Sequence, residues 1–563
     1  MSADFPVALV LILGGALAAP LRGNARGVYL LALPVAAFAW LLALPHGEFG
    51  RLTLLGEHLV LMRVDRLSLL FGYVFLIATL LNVLYAWHVE DRVQHVAGLV
   101  YAGSTLGAVF AGDLLTLFVF WELTAVSSVL LIWARRSPRA YRAGMRYVVI
   151  QLLSGMLLLA GALAYAAHGG SLQFGKIGLD QPGGALILAA IGIKCSFPLL
   201  HNWLQDAYPE ATETGTVMLS AFTTKLGIYA LARCFPGTES LIWVGVAMTA
   251  FPIFYAVIEN DLRRVLAYSM TNQLGFMVVG VGLGTEMALN GAVAHAFADI
   301  LFKGLLFMSM GAVLLRTGTV KGSELGGLYK SMPWTTGFCI VGAASISAFP
   351  LFSGFVTKSM IMTAAAQQGH TLSWLVLLFA SAGVFHHAGI KIPYFAFFAH
   401  DSGIRCREAP ANMLIAMGLA AALCVGIGTL PGVLYSVLPF AVDYVPYTAT
   451  HVIDQLQLLV FSALAFAVLM RTGIYPPELK SVNLDFDWTY RKLAPSLLCG
   501  IASGWSQAGQ AARRCLRSPL AAAVGVIVRP HRPGGGMART LSTGATVFWA
   551  TVLLGAFLAL AFF

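Results

Sequence analysis

Charged residues are scarce in this sequence. Asp, Glu, Lys and Arg together make up 11% of the 563 residues, whereas hydrophobic residues make up 58%. An average soluble domain carries about 25% charged residues, and a soluble fold has too little interior to hide so much apolar surface. The composition therefore excludes an ordinary soluble domain and predicts that lipid surrounds much of the chain.

Motifs for soluble catalysis and for cofactor binding are also missing. The seven cysteines form no CxxC pair, which argues against a zinc site or an iron–sulfur cluster. The sequence has no Walker loop, no nucleophile elbow and no HExxH. The first apolar stretch, 5–19, has no basic residue before it, so we do not expect a cleaved signal peptide. We predict a protein that is not an enzyme by itself and that needs no cofactor and no metal ion.

Long apolar runs are abundant, for example at 67–87, 114–133, 413–435 and 547–563. A transmembrane barrel would instead show short segments of alternating hydrophobicity. Because a helix needs roughly 20 apolar residues to cross the hydrocarbon core, we predict an all-α polytopic membrane protein with about 14–16 transmembrane helices.

Basic residues give the chain a net charge of +10, and they cluster in loops between the apolar runs, as in 134–146. This distribution follows the positive-inside rule and does not indicate a nucleic-acid-binding surface. It predicts a multi-pass protein of the bacterial inner membrane, with the N-terminus outside and the basic loops in the cytoplasm. Two loops depart from the pattern, namely 46–66 and the acidic loop 205–214.

Composition divides the chain into five predicted regions. They are N-terminal transmembrane helices (1–95), a core (96–400), additional transmembrane helices (401–475), a basic cytoplasmic or interfacial segment (476–540) and a C-terminal transmembrane helix (541–563). Within the basic segment, the stretch 490–517 fits either an interfacial amphipathic helix or a partly disordered linker.

A short sequence motif occurs twice in the core. The tripeptide FPL stands at 197–199 and again at 349–351, each time after an apolar run that polar residues interrupt. A proline inside a helix removes a backbone hydrogen bond and breaks the helix. Two broken spans in corresponding positions are typical of a transporter built from inverted repeats, with its ion site at the breaks. Chance recurrence of a tripeptide is the alternative.

Four ionisable residues lie inside apolar runs: Glu122, Lys194, Lys225 and Lys358. A charge near the bilayer centre costs about 2.5–3.5 kcal/mol on insertion scales, which makes each of them a candidate functional residue. Burial disfavours the charged form of a lysine and a nearby carboxylate favours it, so a moving acid would switch proton binding. The alternatives are a static packing role for Glu122 and lysines that extend their ammonium groups to the membrane surface.

His295, Asp299 and Lys303 recur every four residues within one apolar run. This spacing places them on one face of a helix, and histidine titrates near neutral pH. A base, an acid and a cation along one face predict a proton-conducting row across the membrane. Lys391, with His386 and His387 nearby, is a weaker candidate of the same kind.

Seven short motifs follow one another along the core. They are FWEL at 120–123, FPLLHNWL at 197–204, DAYPEA at 206–211, KLGIY at 225–229, AYSM at 267–270, FKGLLF at 302–307 and GFVTK at 354–358. Because of these motifs, the core (96–400) resembles the antiporter-like membrane subunits shared by respiratory complex I, membrane-bound hydrogenases and Mrp-type cation/proton antiporters. Within that family the sequence is most similar to the D-type subunit of the Mrp-type antiporters.

The resemblance implies two inverted five-helix repeats, each with a broken helix. It places Glu122 at the family's glutamate of the fifth span, Lys194 at the central lysine and Lys225 at the connecting lysine. Lys358 matches the ionisable residue of the second broken helix. The family often has a second histidine four residues after the position of His295.

Asp299 replaces that second histidine, and we expect its carboxylate to pair tightly with Lys303. The implied function is a proton-conducting subunit of a multisubunit monovalent cation (Na⁺)/proton antiporter. Its partners would be other subunits of a membrane complex, protons, monovalent cations and the lipid bilayer. A proton-pumping subunit of a complex I or hydrogenase-type redox complex is the alternative. The residues alone also leave open a scaffold that anchors a redox partner and a carrier of small organic cations.

Overall fold

The computed structural model describes residues 4–54, 56–479, 483–536 and 542–562. It is mostly helical, at 74%. Within the described ranges, twelve helices are long and apolar enough to cross a membrane, and Val7–Leu17 and Gly184–Lys194 are shorter apolar helices. The predicted all-α polytopic class is confirmed.

A first compact unit ends at Asn483, and a second begins at Leu484. The first part of the chain contains α1 (Val7–Leu17), α2 (Gly23–Ala43), β1 (Gly47–Leu54), β2 (Glu57–Val64), α3 (Arg66–Tyr85), α4 (Arg92–Phe110), α5 (Leu114–Trp133), α6 (Pro138–Ala167), α7 (Gly184–Lys194), α8 (Asn202–Ala207), α9 (Glu213–Ala221) and α10 (Thr223–Cys234). The remainder contains α11 (Ser240–Ile258), α12 (Leu262–Leu283), α13 (Glu286–Thr317), α14 (Pro333–Ile346), α15 (Ser353–Gln367), α16 (Thr371–Val384), α17 (Lys391–Pro393), α18 (Ala411–Thr429), α19 (Pro431–Tyr435), α20 (Ala449–Thr472), α21 (Ala494–His531) and α22 (Thr543–Phe562).

A two-stranded antiparallel hairpin, absent from the sequence prediction, occupies most of the loop 46–66. Gly47 of β1 lies opposite Val64 of β2. Asp113 fastens the hairpin to the bundle, because its carboxylate accepts the backbone N–H of Val60 at 2.8 Å and that of Thr116 at 2.7 Å. The second bond caps the N-terminus of α5, which stabilises a helix start.

The two FPL tripeptides stand at two helix breaks with the same backbone geometry. Ser196 and Leu199 have φ of 63° and 71°, and Ala348 and Leu351 have φ of 56° and 75°. These four residues are not glycines, and a left-handed conformation costs each of them about 1–2 kcal/mol. Strain of this kind persists only where the surrounding structure holds it in place.

The hydrogen bonds around the two breaks are also equivalent. The N–H of Phe197 donates to the carbonyl of Gly192 at 2.9 Å, and the N–H of Phe349 donates to the carbonyl of Ala344 at 3.0 Å. Each bond closes a turn wider than the α-helical one, just before the proline. The tripeptide that recurs in the sequence therefore corresponds to a repeated structural element.

The centre of the first unit is formed by α12 and α13, which are almost completely covered by other helices. Polar side chains in the covered middle of these two helices reach neither lipid nor bulk water, so they must find partners inside the protein. This requirement positions the candidate site described below.

The second unit contains α21, which is long, helical and largely exposed along its described side chains. Residues 490–517, for which the sequence left two interpretations open, lie within helical structure, and their placement at a membrane interface stays a prediction. The last helix, α22, is among the twelve apolar helices that can cross a membrane.

We expect Ala348→Gly to raise the free energy of unfolding by up to about 1 kcal/mol, because glycine adopts a positive φ without steric cost. Ala343→Gly is the matched control, since both alanines are buried at 3–4% exposure but Ala343 lies inside α14. In a helix interior the same change should lower the stability by about 0.5–1 kcal/mol. Thermal unfolding of the purified protein in detergent measures both, and equal losses would contradict the strain argument.

Asp65, which precedes α3, joins the start of that helix to Arg233 near the end of α10 through a bidentate ion pair. Its carboxylate accepts from the guanidinium of Arg233 at 2.8 and 2.9 Å and from the N–H of Ser68 at 2.9 Å. Burial alone would raise the pKa of Asp65, but the hydrogen bonds and charge of Arg233 outweigh it and lower the pKa to about 2. The ionised carboxylate is therefore the form that stabilises the fold.

Asp65→Asn should lower the melting temperature in detergent at neutral pH, because the pair with Arg233 is lost. An aspartate has a pKa of about 3.9 in an unfolded chain, so the contribution of Asp65 is fully present above that pH. It is lost as the pH falls from about 4 toward about 2. The difference in melting temperature between wild type and variant should shrink over that range, whereas Asp180→Asn, at an exposed position, should show little difference at any pH.

Candidate functional site

A row of ionisable side chains runs along one face of α13, as the four-residue spacing predicted. His295, Asp299 and Lys303 are all 0% exposed. His295 contacts Gln273 of α12 through Nε2 at 2.9 Å and Thr357 of α15 through Nδ1 at 3.0 Å. The histidine therefore links the central helices to the helix that follows the second break.

Asp299 and Lys225 form an ion pair at the centre of this row. The Nζ of Lys225 lies 2.7 Å from Oδ2 of Asp299, and both side chains are 0% exposed. Lys225 also donates to the carbonyl of Ser220 at 3.1 Å. That carbonyl is available because the chain kinks at Phe222, between α9 and α10. The kink and the carboxylate together satisfy an ammonium group that the apolar interior would otherwise not tolerate.

The partner of Asp299 differs from the one expected from the sequence. Lys303 lies one turn away on the same helix, yet its Nζ donates to Oγ of Ser269 on α12 at 2.8 Å. The carboxylate instead reaches across to α10 and pairs with Lys225. The reason is geometric: α10 brings an ammonium group directly opposite Asp299, and Ser269 offers Lys303 a hydroxyl acceptor.

Lys194 is buried at the end of α7, immediately before the first break. Its Nζ donates to Oγ1 of Thr124 at 3.0 Å and to the carbonyl of Trp121 at 3.5 Å. The same ammonium group lies 4.7 Å from the centre of the Trp121 ring, a distance at which a cation–π interaction is favourable. The side chain is 0% exposed, so its ammonium group does not extend to the membrane surface.

Glu122 follows Trp121 in α5. Among the described residues its carboxylate forms no ion pair with Lys194, although the two charges interact. The Glu122 carboxylate rests against Gly155 of α6, where an added Cβ would collide with Oε1. Its Oε2 is buried and has no hydrogen-bond partner among the described residues. The carboxylate therefore occupies a place beside the lysine without being fixed to it.

The first break packs closely against α10. A Cβ at Gly227 would lie 2.8 Å from Sγ of Cys195 and 3.0 Å from its backbone nitrogen. Only glycine allows this approach, and it brings Lys194 and Lys225 onto directly adjacent segments. The KLGIY motif thus combines the lysine with the small residue that positions it.

Lys358 lies one turn into α15, after the second break, and is 1% exposed. Its Nζ donates to the carbonyl of Ile346, the last residue of α14, at 3.1 Å and lies 5.0 Å from the Phe276 ring centre. Its neighbour Thr357 contacts His295. The break therefore provides the acceptor for this lysine and connects it to the central row.

The polar partners on α12 were not among the site residues predicted from the sequence. Ser269 and Gln273 hold Lys303 and His295, and neither was singled out. A signal was present, because Ser269, Thr271, Asn272 and Gln273 stand close together within a span that is otherwise apolar. Polar residues inside a membrane-spanning helix face partners in the bundle.

The acidic loop 205–214, an exception to the charge pattern, neutralises the basic loop beside it. Asp206 accepts from Arg146 at 2.7 and 3.0 Å, and Glu210 lies 2.6 Å from Nε of Arg139. Arg263, which is 1% exposed, donates to the carbonyls of Ala211 and Thr212 at 3.1 Å. These contacts fix the loop that follows the first break. In the part of the chain that the structure describes, no cluster of three His, Cys, Asp or Glu side chains could hold a metal ion.

The chain matches a known protein family over residues 111–385, the transmembrane family described as NADH:quinone oxidoreductase/Mrp antiporter. Curated relatives include hydrogenase-4 component B of Escherichia coli K12, which is 27% identical over 68% of this chain and 63% of the relative. The A and D subunits of the Na⁺/H⁺ antiporter of Alkalihalophilus pseudofirmus are each 30% identical. The first matches over 68% of this chain and 54% of its own length, and the second over 52% and 64%. The chain thus spans between about a half and two thirds of these relatives.

Solved structures share the fold over most of the chain. A chain of the Mrp complex from Dietzia sp. DQ12-45-1b has a TM-score of 0.68 at 22% identity and covers 83% of this chain and 100% of its own. A chain of respiratory complex I from Thermus thermophilus has a TM-score of 0.67 at 22% identity and covers 77% and 99%. The family match contains every residue of the row from Glu122 to Lys358. In sequence and in fold, the chain is thus similar to the antiporter-like membrane subunits found in Mrp-type antiporters, complex I and hydrogenase-type complexes.

Proposed function

We propose that this chain is the proton-conducting subunit of a multisubunit monovalent cation (Na⁺)/proton antiporter. The observation that carries the proposal is the buried row itself. Lys194, Lys225, Asp299, Lys303 and Lys358 are exposed by at most 1%, and the row extends between two helix breaks of the same geometry. Ionisable groups inside apolar helices are costly to bury, so the presence of so many favours a functional role for them.

The first half of the row can change its charge through a small movement. The carboxylate of Glu122 lies beside Lys194 without a fixed hydrogen bond on Oε2. Movement of this carboxylate toward the ammonium group stabilises the protonated lysine, and movement away favours release of the proton. Thr124 and the Trp121 carbonyl hold Lys194 in place during the exchange.

The second half begins at the ion pair between Lys225 and Asp299. While the pair is closed at 2.7 Å, the carboxylate holds the proton of Lys225 in place. A proton delivered to Asp299 would remove that hold and free Lys225 to give its own proton to the next group. His295 and Lys303, one turn to either side of Asp299, lead on toward Lys358 through Thr357.

A proton-pumping subunit of a redox-driven complex is the second candidate. It is supported by the hydrogenase-4 relative, whose 27% identity extends over 426 residues. In both candidates the same row conducts protons, and the partner subunits decide what drives the movement. Purification of the complex with its partners distinguishes the two.

Lys194→Met and Glu122→Gln should each reduce proton translocation by at least about tenfold. This is a conservative bound, because loss of a proton-transfer group usually lowers a rate by more than that. The measurement is cation-driven proton movement in everted vesicles that contain the complete complex. Lys176→Met is the matched control, because this lysine lies in the exposed loop between α6 and α7. A scaffold without transport predicts full activity in all three variants, provided that the complex assembles.

The pair between Lys225 and Asp299 can be tested by single and double substitution. Lys225→Met or Asp299→Asn alone should lower the stability of the protein by about 3–5 kcal/mol, since each leaves a buried charge without its partner. The double variant should recover much of that stability, because the pair is then replaced by two neutral side chains. Thermal unfolding in detergent measures the stability, and proton translocation should stay low in all three. Recovery of translocation in the double variant would contradict the role of the pair.

A further inference from the structure

A second group of buried ionisable side chains lies outside the row, on the helical segment formed by α16 and α17. Lys391 is 0% exposed and stands between two π-helical segments, Phe385–Ile390 and Tyr394–Phe398. π-Helical turns inside α-helices occur frequently at functional sites. They displace the following side chains around the helix axis, which here turns Lys391 into the protein.

Lys391 has an unusually complete set of partners. Its Nζ donates to the carbonyls of Ala256, Val257 and Glu259 at 3.2, 2.7 and 2.7 Å, all at the C-terminal end of α11. It also lies 2.8 Å from Oε1 of Glu478. A cation at a helix C-terminus is favourable by itself, so the carbonyls alone do not require a carboxylate.

The carboxylate comes from a segment that returns to the bundle after α20. Tyr475 in this segment is buried and stacks on His386, with ring centres 5.5 Å apart, and packs against Phe466. This packing holds the Glu478 side chain at 6% exposure beside Lys391. Burying a carboxylate is costly, and nothing in the packing of α11 demands it.

His387 lies one turn before Lys391, within range of the charge of Lys303 in the row. The ring is 0% exposed, and neither of its nitrogen atoms has a hydrogen-bond partner of ordinary geometry among the described residues, although the Gly383 carbonyl acts on the ring. The charged groups that act on it come from Lys303 on α13 and from His386 and Lys391 on its own segment. A buried imidazole that is within range of two lysine charges is suited to accept a proton from one lysine and pass it to the other.

Beyond Glu478 the group reaches the end of the bundle that carries the basic loops. Glu259, which follows α11, lies near Glu478. Its carboxylate accepts from the amide of Asn483 at 3.2 Å and lies 3.8 Å from the guanidinium of Arg264, which is 20% exposed. Charged groups thus continue from the buried lysine to the solvent at this end.

We propose that His387, Lys391 and Glu478 form a second proton path, which joins Lys303 of the row to the basic end of the bundle. This inference rests on the proposed function of the row. The ammonium of Lys391 gives a proton to the carboxylate of Glu478, which releases it to water. The neutral amine of Lys391 then takes a proton from the His387 imidazolium, and His387 is reprotonated by the ammonium of Lys303.

Lys391→Arg separates this role from a purely structural one. Arginine keeps a cation for the α11 carbonyls and for Glu478, but it does not release a proton at any pH that proteins experience. We expect normal assembly of the complete complex and a loss of proton translocation of at least about tenfold in everted vesicles. Lys330→Arg is the matched control, since Lys330 forms an exposed ion pair with Asp401, and it should translocate protons at the wild-type rate.

His387→Gln and Glu478→Gln complete the test. Both should lower translocation by at least about tenfold. If Lys391→Arg disturbs assembly, His387→Gln tests the second path in its place. This substitution should leave assembly intact, because the His387 ring makes no hydrogen bond to another side chain in the described part of the chain. Wild-type rates in all three variants, together with the loss in Lys194→Met, would overturn the second path and leave the proposed function standing. Wild-type rates in Lys194→Met as well would overturn the proposed function, and the second path with it.

Discussion

Every buried lysine in the described part of this protein needs an acceptor that the apolar interior does not readily offer, and the structure is organised around meeting that need. At Lys225 the solution is the carboxylate of Asp299, 2.7 Å away with both side chains out of contact with solvent. Separating two such charges leaves each one buried alone, which is far more costly than keeping them together. The packing of α10 against α13 therefore depends on this pair, and so does the sequence of proton movements proposed for the row.

Interrupted helices provide the remaining acceptors. Lys225 uses the Ser220 carbonyl at a kink, Lys358 the Ile346 carbonyl at a break, and Lys391 three carbonyls at the end of α11. In an uninterrupted α-helix these carbonyls would bond to N–H groups four residues later. The strained, non-glycine positive φ values at the second break are thus linked to the row, because that break leaves the Ile346 carbonyl free to hold Lys358.

Several features were predictable from residue type and spacing. The apolar runs predicted the helical membrane class, and the two FPL tripeptides predicted two helix breaks, which share one geometry in the structure. The four-residue spacing of His295, Asp299 and Lys303 placed them on one buried face. The hairpin at 47–64 was not predicted, because its anchor, Asp113, lies far along the chain.

Residue type and order are enough to tell which helices carry charge and where they break, since hydropathy, proline and spacing are local properties of the chain. Which charges meet follows from the packing of the helices. Asp299 pairs with Lys225 and not with Lys303, which is nearer in sequence, and Glu478 returns to Lys391 after two more apolar helices that are long enough to cross a membrane. An ion pair depends on a few ångströms of separation between side chains, and that separation is set by how distant helices pack against one another.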